Sequence, residues 1–142
     1  MTRPGQTKLR HDQIIFALVN CLRYAASMTA AEFRDLALRF PEASESAHMG
    51  HPDFRVNGKI FATLGYPDGE HGVVILPLEE QSRFVATDPT AFAPVTGGWG
   101  ARGATQVRLP SVKNQTLYSA LALAWRKRAP KRLGKRQLPM IE

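Results

Sequence analysis

Four side chains between residues 48 and 71, His48, His51, Asp53 and His71, are of the types that bind transition metals through nitrogen and oxygen or move protons near neutral pH. Their spacing matches no metal-site pattern. They also fall among turns and strand ends, where a histidine is ordinarily exposed or hydrogen-bonded locally, so no metal is expected. A catalytic reading would need His48, His51 and an acid to converge in one pocket. The segment Gly98-Trp99-Gly100-Ala101-Arg102-Gly103 has the GxGxxG spacing that brings backbone amides up to a pyrophosphate. In a dinucleotide fold a helix follows, with a carboxylate about 20 residues on to hold the ribose. Here a strand pattern follows, and after Asp88 the only acid is Glu142. These glycines therefore read as a hairpin loop that needs positive φ. Glu79 and Glu80 suit the dipole of a helix start. Cys21, the single cysteine, can form neither an internal disulfide nor a Cys-based zinc site. With no serine elbow, zincin helix or P-loop, no catalytic residue and no cofactor are expected, and the chain reads as a binding protein rather than an enzyme.

The binding chemistry on offer is cationic and aromatic. Arg55 and Lys59 flank one Asn-Gly turn, while Trp99, Arg102 and Arg108 belong to the glycine-rich hairpin, with Lys113, Arg126 and Lys127 beyond it. Cations neutralise phosphates and release counterions, and a loop tryptophan can stack on a base. The competing reading is that a tryptophan between glycines packs back onto its own sheet. The formal net charge is +7, unevenly placed: residues 101–142 hold ten Lys/Arg against one acid, and residues 41–100 hold three against eight. Such a basic end attracts polyanions over about 10 Å. Nucleic acid, double-stranded DNA first, is the expected partner. A protein or small ligand bound at the sheet face or in a cleft near Trp99 is the alternative, and it predicts little salt dependence.

The elements that must position these residues follow from periodicity. Thr29-Ala30-Ala31-Glu32 has capping-box spacing, and Phe33, Leu36, Ala37 and Phe40 form one apolar stripe before Pro41. Strand patterns cover 44–49, 54–56, 60–64 and 72–76, an antiparallel meander. Asn57-Gly58 marks a tight turn with two available registers. A two-residue turn puts Lys59 on the face of Phe54. A three-residue loop of Val56, Asn57 and Gly58 pairs Arg55 with Lys59 and turns Phe54, Ile60, Ala62 and Leu64 to the core, and it is preferred here. A short helix over 79–86 precedes a second hairpin with arms at 93–96 and 104–109. A last helix over 114–127 carries Leu117, Leu121 and Trp125 on one face until Pro130.

With 142 residues, 44% of them hydrophobic, one α+β domain is expected. Residues 1–27 read as an extension, partly disordered or one short helix over 12–26, and residues 130–142 as a basic disordered tail. The apolar run at 14–19 is broken at Asn20 and Arg23, too short for a membrane span. With a single cysteine, the cytoplasm is the expected compartment and no membrane association is predicted.

From Met28 to about Pro130 the chain resembles the MmcQ/YjbR family of small bacterial proteins. The resemblance rests on Met28-Thr29-Ala30-Ala31-Glu32-Phe33-Arg34, Leu36 to Glu42, Phe54 to Leu64, the Gly98-Trp99-Gly100 loop and the helix from Tyr118 to Arg126. It implies a two-layer α/β fold with an antiparallel sheet, similar in topology to secretion chaperones. It also implies a double-wing DNA-binding role, with the Asn57-Gly58-Lys59 hairpin and the Trp99 loop as wings and no catalytic residues. The 27-residue extension and the basic tail depart from the family pattern.

Overall fold

The computed structural model describes residues 28–134, together with 11–12, 14–15 and 138. Thr29 caps the first helix as its spacing predicts: its Oγ1 accepts from the Glu32 backbone N–H at 3.1 Å, and its hydroxyl donates to Glu32 Oε1 at 3.0 Å. Helix α1 (Ala30–Leu38) leads into strands β1 (Ser44–His48), β2 (His51–Val56), β3 (Lys59–Leu64) and β4 (His71–Ile75). Then come α2 (Leu78–Thr87), β5 (Phe92–Pro94), α3 (Gly98–Ala101), β6 (Ala104–Arg108), α4 (Asn114–Arg128) and a 3-10 turn (Lys131–Leu133). The six strands form one antiparallel sheet in the order β1-β2-β3-β4-β6-β5, an α+β fold of the class expected.

Helices α1 and α4 cover one face of this sheet. Phe33 of α1 lies 5.9 Å from Phe54, and Phe40 stacks on Trp125 at 6.0 Å. The indole N–H of the buried Trp125 donates to the Pro41 carbonyl at 3.0 Å, which ties α4 to the end of α1. Each such aromatic contributes about 1.5–3 kcal/mol by burial. Gly72 of β4 is needed for this packing, because a Cβ there would sit 2.8 Å from Phe33 Cε2.

The β2–β3 turn corrects the preferred register. Asn57 and Gly58 both have positive φ, 54° and 71°, and Val56 pairs with Lys59 across a two-residue turn. Arg55 therefore faces Ile60 and not Lys59. Two forces decide this: the primed turn matches the sheet twist, and the alternative sets two cations directly opposite each other. The slip that would turn the core residues to the wrong face is absorbed by a bulge, after which Phe54 stands opposite Ala62 as the core pattern requires.

The glycine-rich segment also differs from an open loop. Gly97 and Gly103 have the positive φ expected, 87° and 107°, but between them Gly98–Ala101 winds one helical turn, α3. That turn is pressed against β5: a Cβ on Gly100 would lie 1.6 Å from the Val95 carbonyl oxygen. The buried Gln81 side chain clamps it from α2, donating to the Gly100 and Ala104 carbonyls at 3.0 and 3.1 Å.

At the C-terminus order continues past Pro130. Leu133 is buried, and Arg132 donates to both carboxylate oxygens of Glu42 at 2.7 and 2.8 Å, so the expected tail from residue 130 contributes packing before any tail begins. The helix expected over 12–26 lies outside the described residues, apart from Asp12, Ile14 and Ile15, which are helical as is His11. Among the described residues no helix is long and apolar enough to cross a membrane.

Candidate anion-binding face

Strand β2 sorts its side chains by alternation. Phe54 and Val56 enter the helix-covered core, so His51, Asp53 and Arg55 stand on the opposite face of the sheet. Register with β1 brings His48 opposite His51. Asp53 is fully buried. Its Oδ1 accepts from Arg55 Nε at 2.8 Å, its Oδ2 from an Arg55 terminal nitrogen at 3.0 Å, and His48 Nδ1 lies 3.0 Å from that same Oδ2. The Arg55 hydrogen bond holds the Asp53 carboxyl below the ordinary carboxylate range. Burial opposes the shift, and His48 adds to it. Because a carboxylate only accepts, His48 presents its Nδ1 proton to Asp53, which leaves Nε2 as the second functional nitrogen of the ring.

Two hollows meet on this face. One, of about 330 Å³, is lined by His48, Met49, His51, Thr63, Tyr66 and Trp99. The other, of about 440 Å³, shares His48 and Trp99 and adds Arg55, Gly58, Lys59, Ile60, Ile75 and Arg128. Trp99 packs back on Val73, Ile75, Val95 and Ala104 and meets Tyr66 edge to face at 5.7 Å. It is thus a wall of the cleft more than the tip of a wing. Thr63 is 1% exposed, and its Oγ1 has no hydrogen-bond partner among the described residues.

Cations gather at one end of the sheet. The last turn of α4 crosses the ends of β3 and β4, where Lys127 Nζ donates to the Leu76 carbonyl and Arg128 Nε to the Ile60 carbonyl, each at 3.2 Å. Loss of solvent, and then Arg128 nearby, lower the Lys127 pKa. Lys59 starts β3 at the same end, and Arg102 closes α3 beside Gly103, whose carbonyl accepts from the Leu76 N–H. Arg55, Lys59, Trp99, Arg102 and Lys127 are therefore brought together. Arg126 is exposed on the same turn of α4. Arg108 is not part of the group: it stands opposite His71, four residues or about 13 Å along the strand from the Ile75–Ala104 pair, and donates to Ser111 Oγ at 2.7 Å. Lys113 precedes α4, about 22 Å of helix away from Arg128.

A family model for YjbR matches residues 38–127. The chain belongs to the YjbR family. Every candidate binding cation and the candidate binding tryptophan, from Arg55 to Lys127, lie inside the matched YjbR region, whereas Arg128 falls one residue past it. Among solved structures, a Deinococcus radiodurans protein with the DUF419 domain superposes with a TM-score of 0.62 at 15% identity, over 77% of this chain and 84% of that one. At that identity the likeness concerns the fold. No curated protein matches.

Within this YjbR domain the histidine cluster resolves into separate parts. His71 sits 2.7 Å from Asp68 Oδ1 at the start of β4, and its carbonyl accepts from the N–H of Gly65, the residue that separates it from His51. Among the described residues no three His, Cys, Asp or Glu side chains are grouped to hold a metal. His48 and His51 do line one hollow, with Asp53 behind His48, which meets the sequence condition for a catalytic reading in part. The acid, however, is already committed to Arg55. Thr63, Tyr66 and Arg128 are the site residues that sequence reasoning did not single out. Thr63 carries a faint signal, a lone hydroxyl in the apolar strand Ile60–Leu64. Tyr66 carries none, since a loop brings it over the sheet.

Proposed function

We propose that this YjbR-family domain binds nucleic acid, double-stranded DNA foremost, through phosphate contacts made by the cationic end of its sheet, and that it acts by binding rather than catalysis. The observation that supports this is the gathering of Lys59, Arg102, Lys127 and Arg128 from three different parts of the chain onto one end of the sheet. Lys59 and Arg102 are exposed and free to move to a phosphate, while Lys127 and Arg128 are anchored by carbonyls and supply a fixed field. Lys131 follows α4, and the further basic residues of the sequence, Lys135 and Arg136, add affinity without sequence preference. Contact runs through the β2–β3 hairpin and the α4 terminus, with Trp99 held back in the cleft; Arg108 and Lys113 lie outside the footprint.

Fluorescence anisotropy of a labelled duplex across a salt series tests this with the full chain. Binding should weaken steeply with salt, and Lys59→Ala and Arg102→Ala should each reduce the slope of log K against log salt by about 0.9. Arg108→Ala should leave it unchanged. A flat salt dependence, or equal slopes in all variants, would remove the nucleic-acid reading.

A further inference from the structure

The cleft beside Trp99 has two halves of different chemistry, and we propose that together they bind a nucleoside monophosphate, its ring in the Trp99–Tyr66 half and its phosphate in the Arg128–Lys59 half. This goes beyond duplex binding and does not depend on it, because the ring half uses residues that the outer phosphates of a duplex do not need.

The ring half is walled by Trp99 and Tyr66 and flanked by Met49, which is 89% exposed. Aromatic walls with an adaptable thioether at the lip suit a flat ring, for which stacking is the generic attraction. Thr63 is on its lining, and its hydroxyl is deeply buried and unpartnered among the described residues. A buried hydroxyl left unpaired is unfavourable by about 1–3 kcal/mol, and a heterocycle edge offers the donor or acceptor that relieves it. A plain hydrocarbon ring does not. His48, oriented by Asp53, stands where the two halves meet and presents Nε2 as a second polar contact. The other half is basic: among the described residues Lys59 and Arg128 have no ion-pair partner, whereas Arg55 is neutralised by Asp53. Two cations match a phosphate dianion. With about 330 and 440 Å³ in the two hollows, the cleft is of the size that small-molecule sites have.

The test uses the full chain, following tryptophan emission, since Trp99 lines the site and Trp125 is buried in the core. Adenosine 5′-monophosphate, adenosine, inorganic phosphate and a 5′-phosphorylated single-stranded tetranucleotide are titrated separately. The expected result is saturable quenching by the monophosphate, at least tenfold tighter than by adenosine or than phosphate binding measured by calorimetry. Thr63→Val, which keeps shape and strand propensity, should weaken the monophosphate about tenfold and leave phosphate unchanged. Arg128→Met should reduce the monophosphate to the affinity of adenosine. If the tetranucleotide binds tighter than the monophosphate and is equally sensitive to Thr63→Val, the nucleotide is a strand end; the reverse order makes it a free nucleotide. The proposal is overturned if the monophosphate binds no tighter than its two halves, or if Thr63→Val binds it as the parent does. Duplex anisotropy on Thr63→Val keeps the two readings separate, because duplex binding should be unaltered whichever way the nucleotide result falls.

Discussion

Arg55 reaches back along its own strand to hold both carboxylate oxygens of Asp53, at 2.8 and 3.0 Å, across a face where Asp53 is wholly buried. The pair sits two residues apart, the period that puts side chains on one face of a strand. Its effect on the proposed binding surface is subtractive. A phosphate approaching this end of the sheet meets Arg55 as half of a neutral pair, and the net attraction falls to Lys59, Arg102, Lys127 and Arg128.

The pair also sets an acid limit on stability. Asp53 titrates below its ordinary value of about 3.9, so the folded state holds the carboxylate charged where the unfolded chain would protonate it. Its contribution is complete above about pH 4 and is lost as pH falls through the lowered folded-state value. Asp53→Asn should cost about 2 kcal/mol near neutral pH, as expected for charged hydrogen bonds left unmade. Thermal melts of parent and variant from pH 2 to 7 should converge at the acid end. A constant gap at all pH values would show that the charge on Asp53 is not what stabilises the fold.

Gly100 and Gly97 separate steric from conformational demands in the Trp99 segment. A Cβ at Gly100 meets the Val95 carbonyl at 1.6 Å, whereas one at Gly97, with φ of 87°, meets nothing within 4 Å. Gly97→Ala should therefore cost only the backbone conformation, about 1–3 kcal/mol for an alanine at φ 87° and ψ −159°. Gly100→Ala must push α3 off β5, costing about 3 kcal/mol or more, and should release Trp99 into water with a red-shifted emission. Equal melting temperatures for the two variants would contradict the packing of this turn.

How much of this was legible in the sequence differs from element to element. The Thr29–Glu32 cap, the stripe of Phe33, Leu36 and Ala37, and the α4 face of Leu117, Leu121 and Trp125 are local patterns, and the structure keeps them. The β2–β3 register was not, because a bulge lets the turn and the core each take their favoured pairing, and no single-period reading contains a bulge. The cleft was hidden for a different reason. Thr63, Tyr66, Trp99 and His48 come from separate segments, joined only by the strand order and by a glycine segment folding back. That return depends on the contacts of Gln81 and Val95 with Gly100, 19 and 5 residues away along the chain, which link separate elements and so leave no periodicity to read.

Thr63→Val serves as a stability probe as well as a binding probe. The hydroxyl is buried without a partner among the described residues, so replacing it by a methyl group of similar size removes an unpaired polar group from a β-strand where valine is favoured. The melting temperature should rise, by an amount equivalent to about 1 kcal/mol. A fall would mean that the hydroxyl is satisfied in solution by a bound water.

The segment after Pro130 contributes to the fold and, in the proposed function, to binding, and these two roles come apart residue by residue. Leu133 is 3% exposed and belongs to the main core, while Arg132 pairs with Glu42 some 90 residues away. Removing residues 130–142 should therefore lower stability as well as charge, so a loss of nucleic-acid binding on truncation would not isolate the tail's electrostatics. Leu133→Ala should cost about 2–3 kcal/mol and leave the salt slope of duplex binding untouched. Replacing Lys135 and Arg136 by glutamine should do the opposite, flattening the slope with no change in melting temperature. Chemical denaturation and duplex titration on the same two variants check both halves. If Leu133→Ala alters the slope as much as the double glutamine variant, the separation of packing from charge at this end of the molecule fails.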